Sequence, residues 1–165
     1  MTLDFLTQQD LDYGNVFIIM VGPPGSGKSS LAKELIKDKE NWVIVCPDDI
    51  REEMTGDSSD QSHNVEVFGK VYSRLINYLS AGYNVIYDAT NCRSTYRFKI
   101  LDVVRGYTSK VICIMSTVSI AECLRRNELR EDGPSVPEDV IERMYFTLKK
   151  HPPTIFEGYD MIIAF

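Results

Sequence analysis

Val16-Phe17-Ile18-Ile19-Met20-Val21 runs directly into Gly22-Pro23-Pro24-Gly25-Ser26-Gly27-Lys28-Ser29, and this junction decides the fold. The octapeptide fits the phosphate-binding pattern G-x-x-x-x-G-K-[ST] at every fixed position. An apolar strand precedes it and a helical pattern follows, from Ser29 to Lys37. That strand–loop–helix context is what the motif requires. Glycines let backbone N–H groups converge on a phosphate without Cβ clashes. The helix N-terminus adds unsatisfied donors and a positive dipole end. Lys28 is placed to reach the β- and γ-phosphates, and the Ser29 hydroxyl to bind Mg²⁺.

Outward from this junction, four more apolar runs read as strands: Trp42–Cys46, Asn84–Asp88, Lys110–Met115 and Asp160–Phe165. They are nearly continuous rather than alternating, as strands buried on both faces should be. Helical patterns lie between them, at Gly27–Lys37, Asp48–Met54, Asn64–Ser80, Ser94–Arg105, Ser119–Arg130 and Pro137–Lys150. Ser119 with Glu122, and Ser135 with Glu138, fit the capping box S-x-x-E. The alternation predicts a parallel sheet covered on both faces, with ligands at the C-terminal strand ends. Thr55–Ser62 reads as a mobile polar loop, and Glu131-Asp132-Gly133-Pro134 as a turn between helices. The 165 residues suit one domain, with residues 1–14 as an N-terminal extension that is polar and acidic, unlike a secretory signal.

Hydrophobic content of 44% and charged content of 25% are ordinary for a globular chain, and no apolar run is long enough to span a membrane. Cys46, Cys92, Cys113 and Cys123 form no C-x-x-C pair. They read as reduced thiols of a cytoplasmic protein, and two histidines make a zinc site improbable. The net charge is −6 and the pI about 4.9, so bulk charge does not attract nucleic acid. Between Asn91 and Arg130, however, eight basic residues face three acidic ones, a local +5. Such a distribution suits an enzyme that grips anionic substrates at one place.

The strand-end rule then sorts the polar residues. Asp48-Asp49-Ile50-Arg51 follows the second strand. Asp48 either accepts the proton of an attacking hydroxyl or simply caps a short helix. Arg51, three residues on, shares its side and could hold an acceptor phosphate. Asp88-Ala89-Thr90-Asn91 ends the third strand, the position where an acidic residue serves Mg²⁺ or orients its neighbours. No Glu follows Asp88, which argues against a motor ATPase; no D-x-x-G or N-K-x-D occurs, which argues against a GTPase switch. Arg126 and Arg130 share one helix face, either as a cover over a triphosphate or as a solvated basic helix end, to which Arg125 belongs. Arg93 and Arg97 open the next helix and could touch substrate phosphate.

Taken in order, the P-loop, Asp48-Asp49-Ile50-Arg51, Asp88-Ala89-Thr90-Asn91, Arg126-Asn127-x-x-Arg130 and Val136-Pro137-x-x-Val140-Ile141-x-Arg143-Met144-Tyr145 resemble the kinase domain of phage-type polynucleotide kinases. The resemblance runs from about Val16 to Lys150. It implies a three-layer α/β/α P-loop kinase fold with a five-stranded parallel sheet and a helical lid across about residues 119–150. It implies transfer of the ATP γ-phosphate to the 5′-hydroxyl of DNA or RNA, with Mg²⁺, in nucleic acid repair. ATP would lie on Gly22, Pro23, Pro24, Gly25, Ser26, Gly27, Lys28, Ser29 and Ser30, under Arg126, Arg130 and the base contact Val136. Lys28, Asp48, Arg126 and Arg130 would be catalytic, with Asp48 the general base. Ser29 and Asp48 would serve the metal, and Arg51, Asp88, Asn91 and Arg93 the acceptor. The chain carries no D-x-D-G-T phosphatase segment of the kind found in fused members. A small-molecule kinase acting on a nucleoside, sugar or metabolite is the alternative, and a nucleotide-dependent switch or motor a more distant one.

Overall fold

The computed structural model describes residues 15–130 and 135–165. The expected N-terminal extension over residues 1–14 and the turn at Glu131–Pro134 lie outside the described residues. Five strands, β1 (Val16–Val21), β2 (Trp42–Val45), β3 (Asn84–Tyr87), β4 (Lys110–Met115) and β5 (Met161–Ala164), form one sheet in the order β2-β3-β1-β4-β5. Every pairing is parallel, with Phe17 opposite Val85 on one side and Val111 on the other.

β1 shows why the apolar run is continuous. Phe17, Ile19 and Val21 point into one hydrophobic layer, and Val16, Ile18 and Met20 into the opposite one. All six are fully buried. The first layer is closed by α3 (Asn64–Ser80) through Val67, Val71, Leu75 and Leu79, and by α4 (Ser94–Val104) through Ile100, Leu101 and Val104. The second is closed by α1 (Lys28–Ile36) through Leu31, Ala32 and Leu35. These are single helical faces, spaced so that an amphipathic stripe meets a sheet face. The result is the predicted three-layer α/β/α sandwich.

Each connection carries the chain back under the sheet, so the loops at the C-terminal ends of β1, β2 and β3 gather on one rim. Strand ends are shorter than expected at two informative places: Cys46 and Asp88 lie just beyond β2 and β3, with the Asp88 amide still donating to the Val45 carbonyl at 3.0 Å. Between them, α2 (Pro47–Thr55) begins at once, with Pro47 in its first turn, where a missing N–H costs nothing. The stretch expected as a mobile loop is held by local turns. Asp57 accepts from Ser59, Asp60 from Ser62, and the Ser58 carbonyl from Arg51.

Of the two capping boxes, Ser119 caps α5 (Ile120–Glu128), accepting the Glu122 amide at 3.3 Å. Ser135 caps nothing, because α6 (Glu138–Lys150) starts from Pro137 with no side-chain cap. The Val136 backbone is held elsewhere, as described below, and Pro137 sets the entry to the helix.

Candidate active site

The P-loop leaves β1 and turns twice through left-handed backbone, at Gly25 (φ 77°) and Gly27 (φ 89°). A Cβ on Gly25 would come within 2.2 Å of the Cys123 carbonyl oxygen, so α5 seats directly on the loop. No side chain caps α1. Its first amides are therefore left for a ligand, the arrangement that attracts phosphate. Lys28 is buried, and among the described residues its ammonium donates only to the Pro23 carbonyl, at 3.4 Å. Ser26 is buried with its hydroxyl unpartnered. A buried cation beside orphaned donors is a cradle suited to an anion. Ser29 and Ser30 are exposed on the first turn of α1.

Arg126 stands over this cradle: a Cβ on Gly27 would lie 3.2 Å from its Nη1. Glu122 orients it, accepting from Arg126 Nε at 2.6 Å and from Arg125 Nε at 2.7 Å. The two guanidiniums hold the Glu122 carboxyl down at about 2. Arg125, read as a helix-end charge, shares that carboxylate on an exposed edge. Arg130 is exposed just past α5.

Asn127, which the sequence offers only as part of the Arg126-Asn127-x-x-Arg130 element, has a distinct role in the structure. Its Nδ2 donates to the Val136 carbonyl at 2.8 Å, and its Oδ1 accepts the Val136 amide at 3.0 Å. The base of the segment between α5 and α6 is thereby clipped shut, and Val136 is fixed. No local pattern connects residues nine apart, so only the R-N spacing could have hinted at it.

Beyond β2, Asp48 and Asp49 occupy the first turn of α2, where the dipole favours carboxylates. Arg51 Nη1 donates to Asp48 Oδ1 at 2.5 Å, so the i,i+3 relation predicted from sequence is realised. The Asp48 side chain is 66% exposed, whereas that of Arg51 is 5% exposed. Arg51 spends its remaining Nη contacts on the Ser58 carbonyl and Asn64 Oδ1, and its Nε is orphaned. Beyond β3, Asp88 is buried with Oδ1 unpartnered. Partial burial, then the negative charge of Asp88, raise the Asp49 carboxyl. Burial, reinforced by the same carboxylates, pushes the Cys46 thiol up to about 12.

This accumulation of negative charge calls for a cation. Asp88 Oδ1 and the exposed Ser29 hydroxyl are hard oxygen donors of the kind Mg²⁺ accepts. No cluster of three or more His, Cys, Asp or Glu forms a cage among the described residues.

Two predicted contacts are placed differently. Asn91 is buried with φ 49°, its Nδ2 committed to the Met20 carbonyl at 2.8 Å and the Ala89 carbonyl at 3.2 Å. It locks the loop after β3 onto β1. Thr90, beside it, accepts the Gly22 amide at 2.9 Å. Arg97, paired with Arg93 in the sequence reading, does not face substrate. It is fully buried, with Glu157 at 2.7 and 2.8 Å and the carbonyls of Asn91, Cys92 and His151 around it. Arg93 remains exposed at the rim.

A P-loop on a five-stranded parallel sheet, with carboxylates at the neighbouring strand ends and an arginine over the loop, defines a kinase-type, nucleotide-binding P-loop domain. A family model described as an AAA domain matches residues 17–151, and the chain belongs to that family. A chain in the structure of the Pnkp1/Rnl/Hen1 RNA repair complex is similar at 28% identity and TM-score 0.76. The match covers 84% of this chain and 45% of that one, so this chain spans about half of that relative's length. A gluconokinase from Sinorhizobium meliloti 1021 shares the fold at 18% identity and TM-score 0.58, covering 91% of this chain and 81% of that one. Chaetomium thermophilum Kti12, in complex with ADP-AlF3, shares it at 14% identity and TM-score 0.67, over 90% and 88%. No helix among the described residues is long and apolar enough to cross a membrane.

Proposed function

We propose that this domain transfers the γ-phosphate of ATP to the 5′-hydroxyl end of a polynucleotide. The observation that carries the reading is the Asp48–Arg51 pair at the end of β2, set on the same rim as the P-loop cradle. A phosphoryl donor site alone would not need it; an acceptor hydroxyl would. The similarity to a chain of an RNA repair complex favours a nucleic-acid acceptor over a small metabolite.

In this reading, Lys28 and the loop amides bind the β- and γ-phosphates. Asp48 accepts the proton of the 5′-hydroxyl as its oxygen bonds to the γ-phosphorus and the bond to the ADP oxygen breaks. Arg51 holds Asp48 in place and, by exchanging its Ser58 or Asn64 contact, meets the acceptor phosphate. Arg126 and Arg130 balance charge on the transferring group, and Val136 packs on the donor base. Ser29, with Asp48 and Asp88, would hold Mg²⁺, which when bound neutralises charge on the donor phosphates. Positioning and electrostatics carry such a reaction, since its transition state needs little covalent help. All four cysteines are free thiols, in keeping with a cytoplasmic setting.

The test is incubation with γ-labelled ATP, Mg²⁺ and a 5′-hydroxyl oligonucleotide, with a panel of nucleosides, sugars and other small hydroxyl acceptors in parallel. Label on the oligonucleotide supports the reading. Label on a small molecule alone would replace it with a small-molecule kinase.

A further inference from the structure

Arg51 is 4% exposed, and its guanidinium is gripped from three directions. Nη1 donates to Asp48 Oδ1 at 2.5 Å and to the Ser58 carbonyl at 3.1 Å, and Nη2 donates to Asn64 Oδ1 at 3.2 Å. Asn64 opens α3, so it ties the start of that helix to α2. Its own amide is held in turn, with Nδ2 donating to Gln61 Oε1 at 2.8 Å. A guanidinium only donates, so Oδ1 and not Nδ2 must face it. Gln61 keeps the amide that way round. A relay Gln61–Asn64–Arg51–Asp48 thereby ends on the exposed carboxylate at the rim.

Two observations separate this relay from ordinary packing. The first is charge. Arg97 is neutralised by Glu157, a pair buried at both ends. Arg51 instead meets a neutral amide on one side, and its one ion pair among the described residues is with Asp48. A carboxylate in place of that amide would suit the first turn of α3, where no side chain caps the helix. It would also divide Arg51 between two negative charges. The second is redundancy. α2 and α3 are tied again further along, where Arg74 Nη1 donates to Glu53 Oε1 at 3.0 Å. Holding the two helices together does not by itself call for Asn64.

Resting on the reading of Asp48 and Arg51 as the acceptor half of the site, we propose that Asn64 is a positioning residue for phosphoryl transfer. It sets the Arg51 guanidinium, and through it the Asp48 carboxylate, without taking up the charge of Arg51. The Ser58 carbonyl is the contact that yields to an anionic acceptor, while Asn64 keeps the guanidinium in place. Without the amide, Nη2 loses its partner beside an Nε that already lacks one. The guanidinium then turns and Asp48 loses its aim. A misplacement of about 1 Å can cost such a reaction about a hundredfold.

The experiment compares three variants with wild type in transfer to a 5′-hydroxyl oligonucleotide, in ATP affinity and in urea unfolding. Asn64→Ala should lower kcat by about tenfold or more, with ATP affinity unchanged. Asn64→Asp keeps the shape and the accepting oxygen, and should unfold at a urea concentration equal to or above that of wild type. It should nevertheless raise KM for the oligonucleotide about tenfold and reduce the salt dependence of log KM by about 0.7, as one positive charge is withdrawn from the acceptor. Because it keeps the fold, this variant is decisive even where Asn64→Ala folds poorly. Arg74→Gln, which breaks the other tie between the helices, should lower the unfolding midpoint and leave transfer unchanged. Wild-type kcat/KM in Asn64→Asp, wild-type kcat in Asn64→Ala, or equal losses of kcat in Asn64→Ala and Arg74→Gln overturns the proposal. If wild type labels only a small hydroxyl acceptor, the polynucleotide reading fails on its own. The kcat of Asn64→Ala is then read on that acceptor, where an unchanged value likewise overturns the proposal. Wild type that labels no acceptor at all fails both.

Discussion

Gly25 lies so close to Cys123 that a Cβ there would sit 2.2 Å from the Cys123 carbonyl oxygen. The phosphate loop and the helix that carries Arg126 are thus in backbone contact. Gly25→Ala faces both that clash and a φ of 77°, which alone costs an L-residue about 1–2 kcal/mol. Urea unfolding should show a loss of at least that size, and calorimetry a weakened affinity for ATP. Wild-type stability in this variant would mean that α5 is not seated on the loop.

The Arg97–Glu157 pair is buried at both ends, and Tyr159 also donates to Glu157 at 3.1 Å. Glu157→Ala strands a fully buried guanidinium, a change that costs about 3–5 kcal/mol in such settings. The loss should be read in equilibrium unfolding. Replacing both residues by apolar ones of similar volume should cost less than the single change.

Asn127→Ala removes both bonds to the Val136 backbone and leaves part-buried polar groups behind. The expected destabilisation is about 1–3 kcal/mol, with a higher KM for ATP from a less fixed Val136. Unfolding curves and ATP titration read the two effects separately.

Asp49 gives a pH prediction. Its carboxyl is raised above the usual 3.8, by partial burial and then by Asp88. The folded state therefore binds that proton more tightly than the unfolded chain does. Its contribution is present below the unfolded value and lost as pH rises through the folded one. At pH 7 the ionised group is a liability, so Asp49→Asn should be more stable than wild type there. The gain should fade as both are taken toward acid. Unfolding at several pH values checks the trend, and a gain that grew on acidification would contradict it.

The sheet was readable because β1 is apolar on both faces, which only a strand covered on two sides requires. The cradle is readable because its glycines and Lys28 fall within one octapeptide, Gly22–Ser29. Arg97 is buried rather than at the rim because its partner, Glu157, lies sixty residues on; nothing local in the sequence separates a buried arginine from an exposed one such as Arg93. Arg51 was placed beside Asp48 correctly, but its contacts to Ser58 and Asn64 depend on how the following polar stretch folds back. Ser135 looked like a cap because spacing ignores the clip that Asn127 places on its neighbour Val136.

The most direct test of the account is single-turnover transfer from γ-labelled ATP to a 5′-hydroxyl oligonucleotide by wild type and Asp48→Asn. ATP affinity is measured on the same preparations. The account predicts 5′-end label with wild type. It predicts a rate at least about a hundredfold lower in the variant, the usual weight of a general base, with ATP affinity retained. Equal rates in the two proteins, or no label from wild type on any such end, would contradict it.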